Sequence, residues 1–133
     1  MEVLTKSAAE TKKLGAKIAT ELKAQIYALS GDLGSGKTTF VQGFAQGLGI
    51  TSKIISPTFI LMRKYQNFYH VDLYRLEDDI ESEVRNLGLT DIWGKPGNVV
   101  IIEWAEKIKD MIPKEAMWIK FKNIGEDKRK ITV

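Results

Sequence analysis

The sequence contains no cysteine and a single histidine, His70. Disulfide scaffolds, cysteine nucleophiles and zinc fingers are thereby excluded together, and a multi-histidine metal centre cannot be assembled. Any metal must be held by oxygen, which points to magnesium. No apolar run approaches the ~18 residues that a membrane-spanning helix needs. Met1 to Glu10 has neither the charged region nor the apolar stretch of a secretory signal, so a soluble, cytoplasmic protein with no membrane role is expected. Arginine is also scarce: only Arg63, Arg75, Arg85 and Arg129 stand among 20 basic residues. Arginine is the better reader of phosphates and base edges, so the net charge of +3 reads as a dispersed lysine excess serving solubility, not as a nucleic-acid surface.

What is present is ordinary globular material. A length of 133 residues with 44% hydrophobic and 28% charged side chains suits one domain over residues 1–133 and rules out disorder. Ser7-Ala8-Ala9-Glu10 reads as a capping box, in which the serine accepts from the Glu10 amide and Glu10 reaches back to the Ser7 amide. The helix that follows carries Leu14, Ile18 and Leu22 on one face. Gln25 to Leu29 is a short apolar run suited to a strand buried on both faces. After a glycine-rich loop, Phe40, Val41, Phe44, Ala45 and Leu48 form a second helical stripe that Gly49 terminates.

Phe59 to Tyr65 and Phe68 to Tyr74 read as a hairpin joined at Gln66-Asn67, with Phe68, His70, Asp72 and Tyr74 on one face. Asp78 or Asp79 can cap a helix carrying Ile80, Val84 and Leu87 and ending at Gly88. Val99 to Ile102 is a second fully apolar strand, closing on Glu103. A short helix from Ala105 to Met111 stops before Pro113. Strands at Met117 to Phe121 and Lys130 to Val133 flank a turn at Gly125-Glu126-Asp127. The predicted architecture is α/β: a single P-loop NTPase domain with a central mixed sheet flanked by helices and an antiparallel hairpin.

Gly31-Asp32-Leu33-Gly34-Ser35-Gly36-Lys37-Thr38 matches the P-loop pattern at all four constrained positions. A chance match in a chain of this length is on the order of one per cent. The motif also lies between a buried strand and an amphipathic helix, where backbone amides and a helix N-terminus can face a phosphate. Lys37 would reach the β and γ phosphates, and the Thr38 hydroxyl would ligate Mg²⁺.

Such a loop needs an acid at the end of a neighbouring strand, and two are available. Glu103 ends the Val99 to Ile102 run; alternatively it pairs with Lys107. Asp72 ends Phe68 to Val71; alternatively it bonds Tyr74, Arg75 or a backbone amide. His70 either orients Asp72 or is a hydrogen-bonded core imidazole. Thr58, after Ser56-Pro57, stands where nucleotide switches ligate Mg²⁺, or merely in a turn before a strand.

Glu77, Asp78, Asp79, Glu81 and Glu83 suit a helix N-terminus, with a partner surface as the other reading. Lys128-Arg129-Lys130 reads as a solvated hairpin. Trp93 is the candidate exposed anchor, and Trp104 and Trp118 are expected in the core. Asp91-Ile92-Trp93-Gly94 imitates a GTPase signature but follows no hydrophobic strand, and no Asn-Lys-x-Asp guanine reader occurs.

Taken in order, Gly31 to Phe40, Ser56-Pro57-Thr58-Phe59, His70-Val71-Asp72-Leu73-Tyr74-Arg75 and Ile102-Glu103-Trp104 resemble the TsaE (YjeE) family. The resemblance implies a bacterial ATPase needed to install threonylcarbamoyladenosine beside the anticodon of tRNAs that read codons starting with A. It further implies work with a TsaB–TsaD heterodimer, TsaC supplying threonylcarbamoyl-adenylate, and contact with tRNA indirectly through the complex. The implied cofactors are ATP and Mg²⁺. By the same resemblance Asp32, Leu33, Gly34, Ser35, Gly36, Lys37, Thr38 and Thr39 bind the nucleotide, Thr38 and Glu103 hold Mg²⁺, Ser56 to Thr58 form a switch-like loop, and Asp72 contributes to hydrolysis with Lys37 and Glu103. With no arginine recognisable as a finger, activity alone is expected to be weak. A non-enzymatic ATP-gated binding module and a small nucleotide or metabolite kinase are the alternatives.

Overall fold

The computed structural model describes residues 1–55 and 61–133. The switch-like loop expected at Ser56, Pro57 and Thr58, with the start of the strand at Phe59, lies outside the described residues.

In chain order the elements are β1 (Glu2–Thr5), α1 (Ala8–Glu21), β2 (Ile26–Ser30), α2 (Lys37–Gly47), β3 (Met62–Tyr65), β4 (Phe68–Asp72), α3 (Ile80–Asn86), α4 (Leu89–Trp93), β5 (Val99–Glu103), a 3₁₀ helix (Ala105–Met111), β6 (Met117–Gly125) and β7 (Lys128–Thr132). The strands form one mixed sheet in the order β1-β7-β6-β2-β5-β4-β3. Strands β6, β2, β5 and β4 run parallel, while β3 and β7 are antiparallel to their neighbours. The expected α/β architecture with a central mixed sheet, flanking helices and an antiparallel hairpin is the observed one.

Period-two alternation divides the interior into two cores. Tyr27 and Leu29 of β2, Phe68 of β4 and Val99 and Ile101 of β5 face α1 and α2. Ile26, Ala28, Val71, Val100 and Ile102 face α3, α4 and the 3₁₀ helix. Strands buried on both faces read as continuous apolar runs, which is why β2 and β5 were legible. The same alternation carries His70 and Glu103 onto the α2 side of the sheet.

Helices α1 and α2 pack at a separation that only glycine permits. A Cβ on Gly15 would lie 2.3 Å from the Phe40 carbonyl oxygen, and one on Gly43 would lie 2.0 Å from that of Lys12. This contact fixes the axis of α2, whose first turn holds Lys37, Thr38 and Thr39.

Several sequence expectations are corrected. Ser7 accepts from the Glu10 amide at 3.2 Å, but Glu10 Oε1 accepts from the Lys6 amide at 2.9 Å, one residue earlier than the capping box assumes. Leu22 is no inward residue: it caps α1 in the left-handed region at φ 40° and is exposed. Asp79 occupies the N-cap of α3 without a side-chain cap bond. The short helix at Ala105 is 3₁₀, broken at Ile108. Strand β1 and helix α4 were not foreseen, because a four-residue edge strand and a five-residue helix are too short to show a period. Trp93 lies in α4 and is buried, so it is not an exposed anchor; Trp104 and Trp118 are the partly buried ones. Among the described residues no helix is long and apolar enough to cross a membrane.

Candidate functional site

The parallel strands bring three carboxyl ends to one edge. Glu103 stands in register with Leu29 of β2 on one side and with Asp72 of β4 on the other. The Gly31 to Gly36 loop leaves β2 at this edge and delivers Lys37 as the first residue of α2. Gly36 precedes the helix at φ 100°, a left-handed conformation that a side chain would strain. Gly31 faces a second constraint, since a Cβ there would lie 2.5 Å from the Phe121 carbonyl oxygen of β6.

Lys37 is 5% exposed. Its ammonium donates to the carbonyl oxygens of Gly31 and Asp32, the latter at 3.0 Å, and lies 4.1 Å from the centre of the Trp104 ring. Burial lowers its pKa from the ordinary lysine range; the nearby Glu103, Glu106, Asp72 and Asp32 carboxylates act in the opposite sense without cancelling the effect. Among the described residues no carboxylate pairs with the ammonium, and the cation rests on loop carbonyls at the mouth of a helix N-terminus.

Thr38 Oγ1 donates to Glu103, with 3.0 Å to Oε1 and 3.2 Å to Oε2. Glu103 is 2% exposed, and its Oε2 also lies 2.6 Å from Nε2 of the fully buried His70. A carboxylate can only accept, so the ring nitrogen donates. His70 therefore serves Glu103 across the parallel β4–β5 pair, not Asp72 on its own strand, and it is a hydrogen-bonded interior imidazole as one of its two readings held. His70 Nδ1 is buried with no hydrogen-bond partner among the described residues. Asp72 Oδ1 accepts from the Tyr74 amide at 3.0 Å, the turn bond foreseen as its alternative role. Lys107 does not pair with Glu103; its ammonium donates to the carbonyls of Tyr74 and Leu76, both at 2.8 Å.

The resulting cleft is about 460 Å³ in volume, with Lys37, Thr38, Asp72, Glu103, Trp104 and Arg129 among its lining residues. Leu33, Gly34, Gly36 and Thr39 also line it, whereas Asp32 and Ser35 act from behind, through the Asp32 carbonyl and the buried Ser35 hydroxyl 3.5 Å from the lysine ammonium. Loop amides, a helix N-terminus and a buried ammonium suit a polyphosphate. For a divalent cation, Thr38 Oγ1 and the adjacent Glu103 carboxylate offer hard oxygen donors at one point. No group of three or more His, Asp or Glu side chains that could cage a metal occurs among the described residues. That sparse set fits Mg²⁺, which keeps waters and phosphate oxygens as most of its ligands.

Two lining residues escaped the sequence reading. Trp104 was assigned to the core but caps the lysine ammonium at positive φ, 61°. Arg129 was assigned to a solvated hairpin, yet its side chain covers the loop at Gly36. No local pattern could have found Arg129, which arrives through strand order, whereas Trp104 directly follows Glu103 in the Ile102-Glu103-Trp104 stretch and could have been taken with it.

A family model described as threonylcarbamoyl adenosine biosynthesis protein TsaE matches residues 5–131. The chain is 42% identical over 128 residues to the tRNA threonylcarbamoyladenosine biosynthesis protein TsaE of Bacillus subtilis (strain 168), covering 92% of this chain and 78% of that protein. It is 33% identical over 138 residues to the protein of the same name from Treponema pallidum (strain Nichols), covering 100% of this chain and 99% of that one. Among solved structures, the crystal structure of Bacillus subtilis YdiB superposes with a TM-score of 0.80 at 34% identity, covering 98% of this chain and 82% of that chain.

Proposed function

The chain belongs to the TsaE family of threonylcarbamoyl adenosine biosynthesis proteins, with a P-loop NTPase fold, and from that membership we propose that it is a Mg²⁺-dependent ATPase whose cycle drives a TsaB–TsaD complex during modification of tRNA. One observation carries the reading. The Thr38 hydroxyl, in the first turn of α2, donates to the buried Glu103 carboxylate at the end of the adjoining strand, beside a buried lysine at the loop mouth.

The chemistry follows from these residues. Loop amides from Gly34 to Thr39 and the N-terminal end of α2 orient the phosphates. Lys37 exchanges the Gly31 and Asp32 carbonyls for β and γ phosphate oxygens, whose negative charge favours the ammonium form that burial disfavours. Thr38 and Glu103 would hold Mg²⁺, which when bound supplies neutralisation of charge on the phosphate oxygens. With Glu103 given to Mg²⁺ beside Thr38, Asp72, in register with Glu103 at the end of β4, is the carboxylate that would orient the attacking water. Preorganised donors of this kind lower the barrier because they need no rearrangement as charge develops.

No arginine of this sequence is recognisable as a finger, and one supplied in trans raises the turnover of a P-loop domain by about 10³ to 10⁵. Feeble ATPase activity alone, stimulated by the TsaB–TsaD pair, is therefore expected, with tRNA meeting this chain only through the complex. Phosphate release at equal ATP, with and without the pair, tests the reading, followed by threonylcarbamoyladenosine analysis of the tRNA. Full activity from the isolated chain, or no response to the pair, overturns the partner-driven cycle. ATP-dependent association without phosphate release would make the chain a binding module, and phosphate recovered on a small acceptor would make it a kinase.

A further inference from the structure

The chain leaves β4 at Asp72 and makes one last rung with β5, the Leu73 amide donating to the Glu103 carbonyl at 3.2 Å. Beyond it the Tyr74-Arg75-Leu76 turn belongs to no strand, and it closes through the Leu76 amide donating to the Leu73 carbonyl at 3.1 Å. The carbonyls of Tyr74 and Leu76 converge on a single ammonium, Lys107 Nζ, at 2.8 Å each. Lys107 comes from the 3₁₀ helix directly after β5, and its own amide donates to the Trp104 carbonyl at 3.1 Å, which ties its backbone to the end of that strand. The ammonium also lies 5.7 Å from the centre of the Trp104 ring and 6.0 Å from that of Tyr74, and the two rings are 5.3 Å apart. No carboxylate pairs with Lys107 among the described residues. Holding a long side chain in one geometry costs rotamer freedom, and here two charge-assisted bonds to one turn offset that cost.

What the turn carries gives the clamp its consequence. The Tyr74 amide donates to Asp72 Oδ1 at 3.0 Å while the Tyr74 carbonyl accepts from Lys107, so one residue links the ammonium to the carboxylate. We propose that Lys107 is a positioning residue for the hydrolytic step: it clamps the Tyr74–Leu76 turn to the 3₁₀ helix, fixes the Tyr74 amide, and through that amide sets the Asp72 carboxylate beside Glu103. This rests on the ATPase reading, in which Asp72 orients the attacking water, and adds to it what holds Asp72. Lys37 and Thr38 stand on α2, and Glu103 is held by Thr38 and His70, so the groups given to phosphate and Mg²⁺ do not hang on the turn. A step that depends on the angle of one carboxylate is lost by a small displacement that binding tolerates.

Three variants test it beside the intact chain, each first checked for a cooperative thermal transition: Lys107→Met, which keeps the aliphatic stem, Lys107→Arg, whose forked donors can span both carbonyls, and Asp72→Asn. Amide hydrogen exchange followed by nuclear magnetic resonance should show Tyr74 and Leu76 exchanging about tenfold faster in Lys107→Met and near the parent rate in Lys107→Arg. Calorimetry with Mg²⁺ and ATP should place the affinity of Lys107→Met within about twofold of the parent, while phosphate release with the TsaB–TsaD pair falls about tenfold or more and Lys107→Arg recovers most of it. Unchanged exchange at Tyr74, equal losses of affinity and turnover, or an Arg variant no better than the Met one would overturn the proposal. Asp72→Asn separates the two levels of argument. Turnover lost there but kept in Lys107→Met sinks the clamp alone, whereas turnover kept in Asp72→Asn, or absent from the intact chain with the pair, sinks the hydrolytic reading on which the clamp rests.

Discussion

Glu103 Oε1 accepts the hydroxyl of Thr38 at 3.0 Å across 65 residues of sequence, while its other oxygen lies 2.6 Å from His70 Nε2. The strand-end carboxylate is thus held from two sides before any ligand arrives. Fixing the carboxylate in advance removes rotamer freedom that binding would otherwise have to overcome.

Glu103 and Asp72 should separate by role. Glu103→Gln keeps the volume and removes the anion, so Mg²⁺-dependent nucleotide affinity should fall by about 10-fold or more while affinity without Mg²⁺ changes little. Asp72→Asn should retain binding and lose turnover. Calorimetry with and without Mg²⁺, alongside phosphate release in the presence of the partner pair, reads both; the opposite pattern would exchange the assignments.

His70 acts through Glu103. His70→Ala removes the buried donor and leaves one carboxylate oxygen poorly satisfied, which should cost about 1–3 kcal/mol of stability and weaken Mg²⁺ binding by about 10- to 100-fold. His70→Gln, which retains an N–H donor, should recover part of the Mg²⁺ affinity. Denaturant titration and Mg²⁺-dependent binding measured on both variants distinguish positioning from packing, because a packing role alone would leave the Gln variant no better than the Ala one.

Nucleotide binding should take up protons at alkaline pH. Burial holds the Lys37 pKa below the ordinary lysine range in the free protein, and a polyanion beside the ammonium raises it again. The bound state then carries more protons than the free state, so affinity is full below the free-protein pKa and declines as pH rises through it. Calorimetry in buffers of different ionisation enthalpy should show proton uptake in that window and none in Lys37→Ala. Proton release on binding would contradict the assignment of the ammonium to the phosphates.

Gly43→Ala should be among the costliest small substitutions in the chain. Its Cβ would lie 2.0 Å from the Lys12 carbonyl oxygen, so α1 and α2 must separate, at a cost of about 1–3 kcal/mol or more. Because α2 also carries Lys37 to Thr39, nucleotide affinity should fall with stability. Gly94→Ala is the control: its Cβ would meet nothing closer than 3.5 Å, and its unfolding midpoint should stay near that of the parent chain.

The elements that the sequence by itself determined are those whose cause is local. Glycine at constrained positions, a lysine and a threonine at fixed offsets, and apolar periods of 2 or 3.6 act over a few residues, so the loop, β2, α2, β5 and the strand-end acids were legible without a fold. Which groups meet was decided by the tertiary structure alone. His70 reads equally well as a servant of Asp72, two residues away, and only the parallel β4–β5 pairing delivers it to Glu103, 33 residues on. Arg129 looks like one more charge on a hairpin until β6 is laid beside β2, and Trp93, expected to be exposed, is buried in α4, while the partly buried Trp104 lies over Lys37, which β2 and its loop bring beside β5. The physical reason is common to all three. A side chain's direction follows from its own backbone, but its partner follows from the order in which distant strands assemble, and no short stretch of sequence contains that order.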